Sequence, residues 1–328
     1  IQSKEIAKAT KERNSYDYSL PCPVSYSYFQ AGPITCAHGM LDCSALAKLY
    51  KMDRTQGLMD DASSLVFKET ATTELRAHIF NPHGHQETDR RTAVAFFSAG
   101  VWDNVLISQF APHCLHFRER GAVAIIFEYR ELSKHGTTPV EAIADGRSAL
   151  RWLRMNHEDL GVHPDRLVGV GASGGAHLCL STAMLDAYDE PGDPVEIPCT
   201  PNAMVLFSPI VDTTKKGVGH ELFRDRKEAK VTSPSQNVKR GLPPSIIFHG
   251  LDDRVSPPEQ VVRFSKAMKR KKNQCELHSF PREGHSFFNF NVNMQHFEST
   301  INAADQFLTD QHFLSKNELD DGTNRLAS

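Results

Sequence analysis

The stretch Val168–His177 reads VGVGASGGAH and fits two motifs that carry different chemistry. One is G-x-G-x-x-G, which binds the pyrophosphate of a dinucleotide at a helix N-terminus and would use Gly169, Gly171 and Gly174. The other is G-x-S-x-G, a strand-turn-helix elbow that exposes a serine nucleophile and would use Gly171, Ser173 and Gly175. The stretch alone favours neither a cofactor site nor a catalytic serine.

The catalytic interpretation requires two partners later in the chain. Serine is a weak nucleophile at neutral pH, so it needs a histidine base and an acid that orients the histidine. In enzymes with this elbow, the acid and then the histidine follow the serine, each on a loop after a strand. His285 and the pair Asp252 and Asp253 have these positions, and their spacing does not separate the two acids. The predicted roles are Ser173 as nucleophile and His285 as general base and acid.

The dinucleotide interpretation lacks the acidic residue that such a motif requires later in the chain. That motif normally follows the first strand and needs an acid about 20 residues later, at the end of the next strand. Here it follows roughly the fifth predicted strand, and the acids at that distance lie in a loop rich in proline and glycine: Asp189, Glu190 and Asp193. The cysteines and histidines also lack metal-ligand spacing. The sequence therefore predicts an enzyme without cofactor or metal.

Acyl transfer through a serine also needs amide donors for the oxyanion, and losing one donor raises the barrier by roughly 2.7 to 4 kcal/mol. One predicted donor is the residue after the serine, Gly174. The others lie on the loop after the third predicted strand: Ala99, Gly100 and Val101. Trp102 and Phe287 are predicted to line the substrate pocket, and for both the alternative is a packing role.

A sheet must position these residues. Two strands at 65–67 and 75–80 predict a hairpin, and six apolar or β-rich stretches alternate with helical segments at 93–97, 122–127, 167–170, 203–207, 245–248 and 275–280. Most lack polar alternation, which is typical of strands covered on both faces. The predicted fold class is α/β, with a mostly parallel sheet of about eight strands and helices on both faces.

Three parts of the chain are predicted: an N-terminal extension (1–60), a catalytic domain (61–315) and a C-terminal tail (316–328). A polar segment without a strand pattern, at about 213–238, is longer than a normal connection and predicts a lid-like insertion. A disordered surface excursion is the alternative.

Composition excludes some classes of partner. The 328 residues carry a formal net charge of -3, which provides no basic field for nucleic acid. No apolar stretch reaches the roughly 18 to 20 residues that span a bilayer, so a soluble protein without stable membrane insertion is expected. A secreted or periplasmic location and a cytoplasmic one both stay open, as does the oligomeric state. The cluster Cys22, Cys36 and Cys43 fits one disulfide or three thiols.

With these residues, the chain from about Ser64 to Phe313 resembles the α/β-hydrolase fold. Within that fold it resembles the serine esterase/lipase group that includes acetyl esterases and bacterial polysaccharide-ester hydrolases. The resemblance extends to Glu128–Arg130, His163–Arg166 and Phe207–Pro209. It implies that Asp253, the second acid of the pair, orients His285. It also implies hydrolysis of a small-molecule or carbohydrate ester, with acetyl as the expected acyl group.

The chain departs from this group at two places. The group usually has His-Gly-Gly-Gly-Trp at the oxyanion loop, where this chain has Ser98–Trp102, reading SAGVW. The group favours Ala-Gly-Gly after the catalytic serine, where this chain has Gly174–Ala176. The backbone amides survive the first change, but the flexibility of the loop does not. The second change adds one methyl group near the start of the helix, which is expected to be tolerated.

Two other functions remain open. A prolyl-oligopeptidase-like aminopeptidase shares the same triad, although that class carries a large N-terminal propeller, which about 60 residues cannot build. A hydrolase-like binding protein that has lost catalysis would explain the altered loop at Ser98–Trp102.

Overall fold

The protein is described here by a computed structural model that covers residues 55–316. Most of the predicted N-terminal extension, the predicted tail beyond Lys316, and Cys22, Cys36 and Cys43 lie outside the described residues. None of the helices within 55–316 combines the length and apolarity needed to cross a membrane.

The core element is one eight-stranded sheet in the order β1-β2-β4-β3-β5-β6-β7-β8. β1 and β2 form an antiparallel hairpin, β2 pairs antiparallel with β4, and the remaining pairs are parallel. The prediction of a mostly parallel sheet that opens with a hairpin is confirmed. The strands are β1 Ser63–Glu69, β2 Glu74–Phe80, β3 Arg91–Phe97, β4 Val123–Phe127, β5 Val162–Ala172, β6 Ala203–Phe207, β7 Ser245–Gly250 and β8 Cys275–Phe280.

Seven α-helices lie within the described residues: α1 Ala111–Glu119, α2 Leu132–His135, α3 Pro139–Met155, α4 Gly174–Met184, α5 Arg226–Val231, α6 Pro258–Arg270 and α7 Met294–Asp310. The start of α3 follows from its sequence, because Thr138 and Glu141 form a capping box and proline occupies the first turn. The sequence did not predict α1. One of its buried residues is His113, whose pKa burial lowers to about 3, so a polar residue type occupies a core position.

Helices cover both faces of the sheet. On one face, alternate strand residues such as Val94 and Phe96 pack in a single apolar cluster with Phe117 of α1 and Phe307 of α7. On the other face, α3 lies against α4 and β3. A Cβ placed on Gly146 would stand 3.6 Å from the Leu178 side chain and 3.8 Å from Phe97. Since each buried large apolar side chain stabilises the fold by about 1.5 to 3 kcal/mol, this double cover stabilises the sheet that carries the site.

The segment 213–238, predicted as an insertion, contains no strand and consists largely of turns and loops. It contains α5 and two short 3-10 turns, His220–Leu222 and Pro234–Gln236. Thr213, Ala229 and Thr232 are fully buried within it. These buried side chains favour an ordered insertion over the alternative of a disordered surface excursion.

Candidate active site

The elbow lies where β5 turns sharply into α4. Ser173 caps the helix with φ 52° and ψ -117°, a backbone conformation that costs a non-glycine residue about 1 to 3 kcal/mol. Its two flanking glycines make the turn possible. A Cβ on Gly171 would stand 2.5 Å from the Gly175 carbonyl oxygen, and one on Gly175 would overlap the Phe97 carbonyl oxygen. The geometry is that of G-x-S-x-G.

The structure argues against the dinucleotide interpretation, because the acidic residues at the required distance are engaged in ion pairs elsewhere. Asp189 accepts hydrogen bonds from Arg147 and Arg151 of α3 at 2.7 and 2.6 Å, and Glu190 pairs with Lys68 of β1 at 2.8 Å. These carboxylates therefore fasten a loop to the side of the sheet. Gly169 is an interior residue of β5.

The loops after β7 and β8 bring an aspartate and a histidine together. His285 Nδ1 lies 2.8 Å from Asp253 Oδ2, whereas Asp252 is exposed. The other oxygen, Asp253 Oδ1, accepts hydrogen bonds from the amides of Val255 at 2.8 Å and Ser256 at 2.9 Å. Burial acts to raise the pKa of Asp253, but the hydrogen bonds from His285 and the two amides outweigh it, so the pKa lies below its ordinary value. The aspartate is thus held ionised beneath the imidazole.

His249, also at the end of β7, has a different role. Its Nε2 lies 3.0 Å from the Ser256 carbonyl oxygen, and burial lowers its pKa. The ring is fully buried and supports the loop that carries Asp253. This agrees with a structural role for His249.

Ser173 is only 2% exposed, and its Oγ makes no hydrogen bond to any of residues 55–316. The serine-histidine hydrogen bond of an active triad is therefore not formed in this conformation. Such bonds are often long in substrate-free hydrolases and shorten when substrate binds.

The predicted oxyanion loop reaches the elbow. The Val101 amide nitrogen and Cα lie 3.2 Å from the position that a Cβ on Gly174 would occupy, and the Trp102 nitrogen lies 3.3 Å from it. Val101 and Trp102 both have positive φ values, 50° and 58°. The amides of Val101 and Gly174 make no hydrogen bond to other residues within 55–316, which leaves them available for a ligand. The structure thus brings these two predicted donors together.

The predicted role of Ala99 as an oxyanion donor has to be corrected. Its amide donates to Gln109 Oε1 at 2.7 Å, so its only N–H is already in use. The side-chain amide of Gln109 donates in turn to Asn289 Oδ1 at 2.9 Å, which connects the oxyanion loop to the segment after His285. The prediction that Ala99 donates to the oxyanion is wrong in this conformation. Nothing in the sequence pattern pointed to Gln109.

The residues after β4 anchor the oxyanion loop. Tyr129 donates from its hydroxyl to the Ser98 carbonyl at 2.7 Å, and the Leu132 amide donates to the Trp102 carbonyl at 2.8 Å. The Glu131 carboxylate accepts from the Val105 amide. These bonds hold a loop that lacks the usual run of glycines. The Glu128–Arg130 motif was their only sequence signal.

Trp102 and Phe287 lie in packed positions. Trp102 is 1% exposed, and its ring meets His177 of α4 edge-on at 4.9 Å and Phe223 of the insertion at 5.8 Å. Phe287 is 2% exposed and packs on Phe280 at 4.6 Å within the apolar cluster of the sheet. The pocket-lining expectation is thus corrected for Phe287, because its ring fills the core. Trp102 joins the oxyanion loop to the insertion.

Among residues 55–316, no three histidine, cysteine or acidic side chains come close enough to hold a metal ion. The four cysteines of the described part are free and buried: Cys114, Cys179, Cys199 and Cys275.

Comparison with known proteins identifies a matching family and similar solved structures. The family model BD-FAE matches residues 79–268. Among solved structures, esterase 2 of Thermogutta terrifontis, with propionate bound, is 35% identical with a TM-score of 0.75, and the match covers 79% of this chain and 97% of that one.

Two curated relatives are more distant. The probable carboxylic ester hydrolase LipM of Mycobacterium tuberculosis is 25% identical over 55% of this chain and 45% of its own length. An acetylxylan esterase of Xylanibacter ruminicola is 24% identical over 52% of this chain and 35% of its own length. The matched part therefore spans less than half the length of either relative.

Proposed function

The chain belongs to the BD-FAE family, and from this premise we propose that it is a serine carboxylesterase acting on small esters. The observation that carries the proposal is the His285–Asp253 hydrogen bond of 2.8 Å, on loops at the same sheet edge as the Ser173 elbow. Parallel strands place their carboxyl ends, and so these three loops, at one edge.

The proposed mechanism follows from these positions. His285 accepts the proton of Ser173 Oγ as the serine attacks the ester carbonyl, and Asp253 holds the imidazole and stabilises its positive charge. The Gly174 and Val101 amides donate to the oxyanion of the tetrahedral intermediate. His285 then gives its proton to the leaving alcohol. In the second half, water activated by His285 releases the acid from the acyl-enzyme.

We propose a short acyl group, with acetyl as the first candidate, and a small-molecule or carbohydrate alcohol. Support for the acyl part comes from the Thermogutta terrifontis esterase with bound propionate, and for the carbohydrate part from the acetylxylan esterase relative.

The segment 213–238 is the proposed lid of a catalytic domain spanning 61–315. Its residue Phe223 meets Trp102 of the oxyanion loop at 5.8 Å, and the Thr232 carbonyl lies 3.1 Å from His177 Nε2 on the elbow helix. Burial lowers the pKa of His177 to about 4, so this ring stays neutral and Nε2 donates to the carbonyl. The insertion is thereby fastened to both sides of the site.

The test is hydrolysis of p-nitrophenyl acetate by the wild type and by Ser173→Ala. Removing the nucleophile should lower kcat by at least about 10⁴-fold. The matched control is Ser299→Ala, because Ser299 is an exposed serine of α7 and should retain full activity. Equal rates for the wild type and Ser173→Ala would contradict the mechanism.

A fluorophosphonate probe distinguishes the esterase from a non-catalytic binding protein, since labelling requires an activated serine. A peptidase would cleave aminoacyl p-nitroanilides faster than p-nitrophenyl acetate. Esters from acetyl to decanoyl and acetylated xylan would then establish the acyl length and the alcohol.

A further inference from the structure

A cavity lies at the opposite edge of the sheet from the candidate active site. Its volume is about 330 Å³, and four arginines line it: Arg90, Arg91, Arg120 and Arg166. Arg91 begins β3, whereas the oxyanion loop follows the last residue of that strand, Phe97. At about 3.3 Å per residue, roughly 20 Å of strand separates the two places. The cavity is therefore a separate site.

Two of the four arginines have carboxylate partners. Arg91 Nε lies 2.6 Å from Asp89, and Arg120 Nε lies 2.7 Å from Asp305. Arg90 and Arg166 make no ion pair with any residue from 55 to 316. No acidic residue lines the cavity itself. Two of the guanidinium groups that line the cavity thus have no carboxylate partner among residues 55–316, and counterions are expected at such a place.

Arg166 is held in place by neutral groups. Its Nε donates to Thr92 Oγ1 at 3.1 Å, its Nη2 donates to the Phe313 carbonyl at 2.8 Å, and its guanidinium stands over the Phe313 ring at 5.9 Å. These contacts fix the guanidinium without cancelling its charge. A preorganised guanidinium loses little entropy on binding and matches the geometry of phosphate and carboxylate oxygens.

From this arrangement we propose that the arginine cavity binds a small dianionic oxyanion of the phosphate type, either inorganic phosphate or a phosphate monoester. Arg166 and Arg90 supply the uncompensated charge, and Arg91 extends the donor set. Because Arg120 and Arg166 also hold the Ser315 and Phe313 carbonyls at 2.7 and 2.8 Å, an anion bound here would fasten the end of the domain to the sheet. The proposal does not depend on esterase activity.

A purely structural role for the arginines predicts a different result. Arginines that only clamp residues 313–315 would stabilise the fold equally in chloride and in phosphate. Anion binding instead stabilises the folded state in proportion to ligand concentration. Phosphate is also an excluded salt that raises Tm without saturating. The informative quantity is therefore the saturable part of the rise in Tm over chloride at equal ionic strength, and its loss in the arginine variants.

The experiment is thermal unfolding of the full chain at pH 7.5, titrated with phosphate and, separately, with glycerol phosphate. We expect a saturable rise in Tm for the wild type. Arg90→Gln, an exposed residue without an ion pair, should weaken the apparent Kd by about tenfold, and Arg166→Gln by at least as much. Arg240→Gln is the matched control, because Arg240 is exposed and outside the cavity, and its titration should match the wild type.

The two ligands separate the sources of the anion. Tighter binding of glycerol phosphate than of phosphate identifies a phosphorylated small molecule, and the reverse order identifies inorganic phosphate. The sequence after Lys316 contains three acidic residues, Glu318, Asp320 and Asp321, whose carboxylates would compete with an added anion for the arginines if they reached the cavity. A variant with all three replaced by their amides is therefore titrated as well. A Tm equal in phosphate and chloride for both the wild type and this variant would overturn the proposal. So would equal titrations for Arg90→Gln and Arg240→Gln, even if Arg166→Gln does not fold.

Discussion

Gly174 and Val101 meet across the gap between the elbow and the oxyanion loop: the Val101 nitrogen and Cα lie 3.2 Å from the place where a Cβ on residue 174 would stand. This contact connects the two departures from the esterase group. An alanine after the serine, as that group favours, would press on the loop, because 3.2 Å is tighter than ordinary van der Waals contact. Glycine at 174 therefore makes room for a loop that has valine where glycine is usual.

We expect Gly174→Ala to lower kcat for p-nitrophenyl acetate by about 10- to 100-fold, because displacing Val101 weakens an oxyanion donor. Adding Val101→Gly should recover part of the loss, since glycine adopts the positive φ of this position without strain. The measurement is a double-mutant cycle on kcat. Gly57→Ala is the control, because nothing lies within 4 Å of its new methyl group. Strictly additive effects would show that the two positions are independent.

Asp253 and Asp252 are adjacent acids with different surroundings, which makes them a matched pair. Asp253→Asn should lower kcat by about 10⁴-fold, because the amide cannot stabilise the imidazolium and favours the wrong tautomer of His285. Asp252→Asn, at an exposed position, should change kcat by less than about twofold. Steady-state kinetics of both variants checks this. A larger loss in Asp252→Asn would assign the orienting role to the other acid.

The pKa of Asp253 also makes stability depend on pH. Because the folded-state pKa lies below the ordinary 3.8, the unfolded chain binds this proton more tightly than the folded chain does. The stabilisation is therefore fully present above the unfolded pKa, and it is lost as the pH falls below 3.8 through the folded pKa. Urea unfolding between pH 3 and 6 should show a smaller loss of stability on acidification in Asp253→Asn than in the wild type. Parallel curves would contradict this linkage.

Asp145 of α3 is fully buried and joins two cations. It accepts from Arg130 Nη2 at 2.7 Å and from Lys68 Nζ at 2.6 Å. Asp145→Ala should reduce the free energy of unfolding by about 3 to 5 kcal/mol, because it leaves two buried cations, Lys68 and Arg130, to share Glu190 as their remaining carboxylate partner. Asp186→Ala, which removes the exposed pair with Lys239 at 2.8 Å, should change it by less than about 1 kcal/mol. Urea titrations measure both, and similar losses would contradict the distinction between buried and exposed pairs.

Gln109 positions the oxyanion loop through its bonds to Ala99 and Asn289. Gln109→Ala should lower kcat for p-nitrophenyl acetate by about tenfold and leave KM nearly unchanged, because a looser loop costs the transition state more than the ground state. Gln109→Glu should recover only part of the rate, since its carboxylate still accepts from the Ala99 amide but cannot donate to Asn289 Oδ1. Gln306→Ala, at an exposed position of α7, is the control. A change in KM alone would argue against a positioning role.

Much of the fold was predictable because its signals are local. Buried parallel strands require apolar stretches without polar alternation, and the capping box at Thr138 marked the start of α3. Helix α1 was missed because His113 and Pro112 do not give an amphipathic pattern, although both are buried. In the candidate site, the order along the chain was enough to propose Ser173, His285 and the pair Asp252 and Asp253, since each follows a strand of one sheet, whereas Asp253 was selected within the pair by the family resemblance.

What the sequence by itself determined, then, was the set of strands and which loops follow them, because hydrophobic pattern and turn residues act over a few positions. The tertiary structure decided which groups of those loops meet. In the folded protein the Ala99 amide donates to Gln109 and not to the oxyanion, Phe287 packs in the core, and Val101 lies against Gly174. Such contacts join residues far apart in the chain, and they depend on differences of a few tenths of an ångström that no residue pattern records.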